Sequence, residues 1–240
     1  LPMSRVWGMG TSASSDGQFF PTARHGEAMN MVNAKYGSVP GLKAYTHVSD
    51  QFAPFACQSI PATMSEAPYI LDGLLMNEVG RHVREQYADT AGFTDHLFGA
   101  SSLLGYNLVL RIRDLPSKRL YVFNPDTTPR ELRKLVGGKA REDLIVANWP
   151  DIFRCAATMT AGKIRPSQLL RKLASYPRQN NLAVALREVG GIERTLFIIE
   201  WILDTDMQRR AQIGLNKGEA HHALKNALRI GRQGEIRDRT

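Results

Sequence analysis

Thiols are scarce in this chain: Cys57 and Cys155 are the only two cysteines among 240 residues. That is too few for a disulfide framework or a thiolate zinc cluster, and it fits packing roles in a reducing cytosol. Long apolar runs are lacking as well. No stretch reaches the roughly 18 consecutive apolar residues of a membrane span, and the opening LPMSRVWGMG lacks the charged-then-apolar layout of a secretory signal. Also absent are the phosphate loop G-x-x-x-x-G-K-[ST], the zinc helix H-E-x-x-H and the nucleophile elbow G-x-S-x-G. Gly8 and Gly10 form only a lone G-x-G. Glu219 and His222 make one E-x-x-H pair, where a di-iron bundle needs two such pairs and two further glutamates. Position 1 is not methionine and the chain stops inside a charged segment, so the sequence reads as a piece of a longer protein.

What is present is a globular composition, 43% hydrophobic, and an uneven charge. Up to Leu110 there are 6 Lys and Arg against 9 Asp and Glu; from Arg111 onward there are 25 against 14. The second half is therefore the half suited to a polyanionic backbone.

Hydrophobic periodicity gives an α/β domain. The Gly/Ser-rich run GTSASSDGQFFP reads as a strand end or turn that delivers Asp16. Residues 43–63, broken by Pro54 and Pro61, read as one or two short strands, and 65–83 as a core helix that opens with a capping-like Ser65 and Glu66 and has Asp72 and Glu78 on its solvated side. A strand over 86–89 ends at Asp89, a turn follows over 90–92, a helix over 94–104, and the best strand in the sequence over 107–112. Asp89 thus falls at the C-terminal end of a strand before a helix, where α/β proteins place ligand groups; a helix cap or turn would place an aspartate there too. Asp95 and His96 read as a cap and its neighbour. Leu120 to Phe123 could extend the sheet. Helices are expected over 129–135, 141–148, 166–175, 183–189 and 192–203, punctuated by Gly137-Gly138, Pro150, Pro177 and Gly190-Gly191. Three segments result: a first part of a core over 1–125, a mostly helical insertion over 126–206, and a helix over 207–240 that completes the core.

That last helix carries Glu219. Ala220, Ala223, Leu224, Ala227 and Leu228 recur at three- and four-residue intervals and predict the buried stripe, with Glu219 on the same side. Asn216 three residues before Glu219 also fits a capping box. Three carboxylates, Asp16, Asp89 and Glu219, are therefore candidates for one site. Brought to about 4 Å, each pair would repel by roughly 4 kcal/mol at an effective dielectric of 20, so they would need a cation. Hard oxygen donors without thiolate or imidazole select Mg²⁺ or Mn²⁺, and two such ions suit phosphoryl transfer. Lys217, His222, Lys225, Arg229 and Arg232 are candidate DNA contacts.

The motifs WGMGTSASSDGQ, LKAYTHVSDQFAPFACQSIPAT, SEAPYILDGLL, ADTAGFTDH, LLGY, RIRDLPSKRLY, NWPDI, KLASYPRQNNLAVALREVGGIERTLFI and LNKGEAHHALKNAL together resemble the catalytic region of transposases of the Tn3 family. The resemblance covers essentially the whole chain. It implies a ribonuclease-H-like mixed sheet with flanking helices, interrupted by a mostly helical insertion before the helix of the catalytic glutamate. It also implies a DDE triad of Asp16, Asp89 and Glu219 binding Mg²⁺ or Mn²⁺, nicking at transposon ends and joining of the freed 3′-hydroxyls to target DNA. DNA is then the partner, as terminal inverted repeats and as target, with a homo-oligomer formed by the full-length protein, no membrane, and a location in the bacterial cytoplasm at the nucleoid. The sequence departs from the family pattern at Met9, Phe19 and Asn107-Leu108. The alternative reading is a catalytically inactive DNA-binding remnant or a regulator of an intact transposase.

Overall fold

The computed structural model describes residues 2–21, 31–89, 94–112, 114–175 and 180–228, without the side chains of 2, 3 and 225–228. Its centre is a five-stranded sheet in the order β3-β2-β1-β4-β5. β1 (Ser12–Pro21), β2 (Gly41–Ser49) and β3 (Pro54–Pro61) form an antiparallel meander. β4 (Glu85–Ala88) and β5 (Asn107–Leu110) add on parallel to β1. The Gly/Ser-rich run is thus the interior of a ten-residue strand and not its end. Small side chains make this possible, because β1 is sandwiched between helices on both faces and large residues there would hold them apart.

Strand alternation assigns the faces. Ser15 and Gly17 share a face with their partners His47 and Tyr45, and this face is covered by α1 (Tyr69–Leu75). Ser14, Asp16 and Gln18 look the other way, toward α6 (Thr205–Leu228). The helix expected over 65–83 is only seven residues long. It ends where Asn77 turns its amide onto the Phe55 carbonyl at 2.7 Å. Asp72, expected in solvent, is 3% exposed. It accepts from the Ser167 N–H at 2.7 Å and the Ser167 hydroxyl at 2.6 Å, tying α1 to the start of α4 (Pro166–Ser175).

Residues 120–123 do not extend the main sheet. β6 (Leu120–Val122) pairs with β7 (Val136–Lys139) in a separate two-stranded sheet, and the helix expected over 129–135 is replaced by a turn and a short 3₁₀ helix, Arg133–Leu135, that leads into β7. Two expected breaks are also missing. α3 (Glu142–Thr160) runs through Pro150, because burial of Ile152, Ala156 and Met159 outweighs a local cost of about 3 kcal/mol. α5 (Asn181–Leu203) is continuous through Gly190-Gly191. Gly190 lies against the backbone of Asp95 on α2 (Asp95–Leu103), so glycine here permits helix–helix contact instead of ending a helix. The same joint is fixed by Arg194, 2.8 Å from Asp95, by His96 Nε2, 3.0 Å from the Ala183 carbonyl oxygen, and by Phe98 against Phe197. One apolar cluster runs from Ile60 and Leu71 through Leu97 and Val109 to Ile152, Leu170, Leu186, Ala211 and Leu215, so the helices of 126–206 share their core with the sheet. Neither cysteine is a core residue: Cys57 is exposed and Cys155 half-buried. Among the described residues no helix is long and apolar enough to cross a membrane.

Candidate active site

Pairing of β1 with β4 stops at Ser15 and Ala88, so the next residue on each strand, Asp16 and Asp89, marks the point where the two backbones part. On β1, Asp16 is held by local geometry: the Gly17 N–H donates to its Oδ1 at 2.8 Å. Asp89 leans toward Arg111, which follows β5, with 3.5 Å between its Oδ1 and the guanidinium. Residues 90–92, expected as a turn, fall outside the described residues.

Glu219 arrives on α6, but not by the stripe expected. Ala220, Ala223 and Leu224 are exposed, whereas Met207, Ala211, Gly214, Leu215 and Gly218 are buried. The helix starts at Thr205, so Asn216 is interior and no capping box exists there. Glycine is the reason the stripe was misread. Gly214 sits under the Tyr87 ring, where any Cβ would overlap it, and a Cβ at Gly218 would come within 2.9 Å of the Ser14 hydroxyl. These two positions let α6 press onto β1 and β4. Glu219, next to the buried face and itself exposed, thereby reaches the end of the sheet.

Asp16, Asp89 and Glu219 line one cavity of about 130 Å³ together with Ser14, Ser15, Arg111, Leu215 and Gly218. Burial raises the Asp16 carboxyl above the usual range; the Gly17 N–H opposes this, and the Glu66, Asp89 and Glu219 carboxylates add to it. Glu66 and Arg111 were not singled out from sequence as site residues. Glu66 looked like a helix cap and Arg111 like one more cation of the basic half, and neither type of residue announces a site without its neighbours.

The donor set fits a hard divalent cation: three carboxylates, no thiolate, and a mutual repulsion that a cation would relieve. The fit is one of charge and donor type. Among the described residues no three His, Cys, Asp or Glu side chains stand close enough to form a finished metal cage, so the acids share a cavity without closing around a point. Glu219, on α6, is the exposed member of the three.

His222 lies over this site, its Nδ1 3.2 Å from Gln18 Oε1 and its Nε2 3.6 Å from Asp16 Oδ2. Lys217 points elsewhere. Its ammonium donates to the Trp7 and Asp50 carbonyl oxygens at 2.8 and 2.7 Å and stands 5.2 Å from the Phe52 ring centre. The side chain of Lys225 and the whole of Arg229 and Arg232 fall outside the described residues. Of the departures from the family pattern, Met9 is 70% exposed and Phe19 stacks on Tyr36 with ring centres 4.5 Å apart. Neither they nor Asn107 and Leu108 line the cavity of the acids.

A mixed sheet ordered β3-β2-β1-β4-β5, with helices on both faces and acids on β1, just after β4 and on the closing helix, is a ribonuclease-H-like domain. The family described as Tn3 transposase DDE domain matches residues 1–240, and the chain belongs to that family. It is 50% identical over 98% of its length to the transposase for transposon Tn501 of Pseudomonas aeruginosa. Identity is 46% over its whole length to the transposase for transposon Tn21 of Escherichia coli, and 40% over its whole length to that for transposon Tn1546 of Enterococcus faecium. The chain spans 24% of each of these relatives.

Proposed function

We propose that this chain is the metal-dependent catalytic core of a transposase. It cuts one strand at each transposon end and joins the freed 3′-hydroxyls to target DNA, as replicative transposition requires. The observation that carries this is the meeting of Asp16, Asp89 and Glu219 from three separate elements in one cavity. These are the residues that would hold Mg²⁺ or Mn²⁺. Two such ions, when bound, supply Lewis acidity to the attacking and the departing oxygen of the phosphodiester.

The chain's own contributions follow from position. Gly17 fixes the orientation of Asp16, so one ligand is set in place before any ion arrives. Arg111 keeps Asp89 at the β5 side of the cavity, across from Glu219 on α6. His222, beside Asp16 and Gln18, is placed to donate to a phosphate oxygen entering over the acids. Lys225 of α6, with Arg229 and Arg232 further along the sequence, are proposed phosphate contacts; Lys217 is one only if it releases the two carbonyls it holds. Such contacts raise salt sensitivity more than sequence preference.

The division into core segments 1–125 and 207–240 around an insertion over 126–206 belongs to the same proposal. So do terminal repeats and target DNA as partners, a homo-oligomer of the full-length protein, and work in the bacterial cytoplasm at the nucleoid. The test is nicking of supercoiled DNA with Mg²⁺ or Mn²⁺. Glu219→Gln should abolish strand cleavage and leave DNA binding largely intact. Cleavage at the wild-type rate by that variant refutes the assignment, and DNA binding without cleavage by the unaltered chain supports an inactive DNA-binding remnant or regulator instead.

A further inference from the structure

Lys43 on β2 is 4% exposed, an unusual place for a lysine. Its ammonium donates to the Met64 carbonyl oxygen at 2.5 Å and stands 2.9 Å from Glu66 Oε1. A buried pair of this kind contributes little net stability, because both charges have lost their water. Its geometry suggests a different use. The Glu66 carboxyl fills the place over Gly17 where a side chain would stand, and a Cβ built on Gly17 would come within 2.6 Å of the carboxyl carbon. Gly17 is the residue whose N–H holds Asp16.

Two carboxylates therefore flank one stretch of β1, Asp16 on the α6 face and Glu66 from the α1 face. The flanking occurs just past Ser15, where the β4 pairing stops and no further residue of that strand lies alongside. Lys43 and Glu66 form a dipole whose positive end is buried and whose negative end is turned toward Gly17.

We propose that Lys43 positions Glu66 behind the Asp16 cavity, over Gly17 on the opposite face of β1, where its charge acts across the strand to strengthen capture of the divalent cation. This rests on Asp16, Asp89 and Glu219 being the ligands.

The test is calorimetric titration of the 240-residue chain with Mn²⁺, alongside its melting temperature in metal-free buffer. Two variants are compared, Glu66→Gln and the double variant Lys43→Met with Glu66→Gln. Glu66→Gln strands a buried ammonium and should melt earlier, whereas the double variant removes both charges and should regain that loss. Mn²⁺ affinity should fall roughly three- to tenfold in both, the scale of one partly compensated charge several ångström from a divalent ion. Wild-type affinity in the double variant overturns the proposal, as does an affinity that is lost and regained in step with the melting temperature. Asp16→Asn in the same titration separates the two claims. If it abolishes binding while the double variant binds normally, only the role of Glu66 fails; if it too binds normally, the assignment of the ligands fails.

Discussion

Asp16 and Asp72 are both acids set into the body of the domain, and the protein treats them in opposite ways. Asp72 is enclosed and both oxygens are used, each accepting from Ser167. Asp16 has the Gly17 N–H on one oxygen, the His222 ring 3.6 Å from the other, and a side chain 49% exposed to the cavity. Burial raises both carboxyls above the usual range, but the neighbours then diverge: at Asp72 the Ser167 donors pull the value back, whereas at Asp16 three further carboxylates push it higher. A carboxylate completed by protein donors is a joint between elements. One surrounded by its own kind costs stability where it stands, which marks it as a candidate functional group.

The contrast is most easily broken by amide substitution. If Asp16 is the metal ligand proposed, Asp16→Asn should lower metal-dependent cleavage by about 10³-fold, equivalent to about 4 kcal/mol of transition-state stabilisation. Its melting temperature should hold or rise, since a partly buried charge and its repulsion are gone. Cleavage above a tenth of the wild-type rate, or marked destabilisation, would put Asp16 in the same class as Asp72.

Next in size is an effect of pH on the sheet beneath the site. His47 on β2 is fully buried against α1, its Nδ1 2.5 Å from the Ser15 hydroxyl, and burial lowers its pKa from 6.5 to about 4. Below pH 6.5 the unfolded chain takes up a proton that the folded His47 refuses until about pH 4. Stability is therefore lost as pH falls through that window, at up to about 1.4 kcal/mol per pH unit and about 3 kcal/mol in all. Urea midpoints for wild type and His47→Gln should diverge near neutrality and converge toward pH 4; parallel curves would remove His47 as the cause.

Asp72→Ala tests the joint directly. It leaves the Ser167 N–H and hydroxyl without their acceptor at the α1–α4 contact, a cost of about 2 kcal/mol. Cleavage measured well below the melting temperature should be unchanged. A rate loss comparable to that of Asp16→Asn would mean that the joint and the site are coupled.

How far the sequence alone reached follows the same division. β2, β3, β4, α2 and α4 were legible because their apolar spacing is set by local neighbours, and Asp89 at the end of β4 came with them. What was hidden depended on glycine and on distant partners. Gly190-Gly191 and the stripe through Gly214 and Gly218 read as breaks or blanks, yet they are contact surfaces, with Asp95, Tyr87 and Ser14 filling the space a side chain would occupy. Asp72 read as solvated because its partner lies 95 residues away, and Glu66 read as a cap because Lys43 is on another element. The three acids proposed for the site stood out since chemistry restricts which residues can serve, and they share one cavity; the contacts that seat them were hidden, since many residues can pack.

Lys217 tests where the boundary between site and joint falls, and the expected effect is the smallest. It sits two residues before Glu219, and charge alone made it a candidate phosphate contact. Its ammonium is instead engaged by the Trp7 and Asp50 carbonyl oxygens, which straps the N-terminal segment and the β2–β3 turn onto α6. Lys217→Met keeps the aliphatic stem beside Phe52 and removes those two bonds. As a strap, Lys217 is worth about 1 kcal/mol of stability, and its loss should leave the salt dependence of DNA binding unchanged. As a phosphate contact, its loss should reduce the slope of log affinity against log salt by about one and leave the melting temperature alone. The two readouts move in opposite combinations, so a single variant decides whether α6 reaches DNA from this position or holds the domain together there.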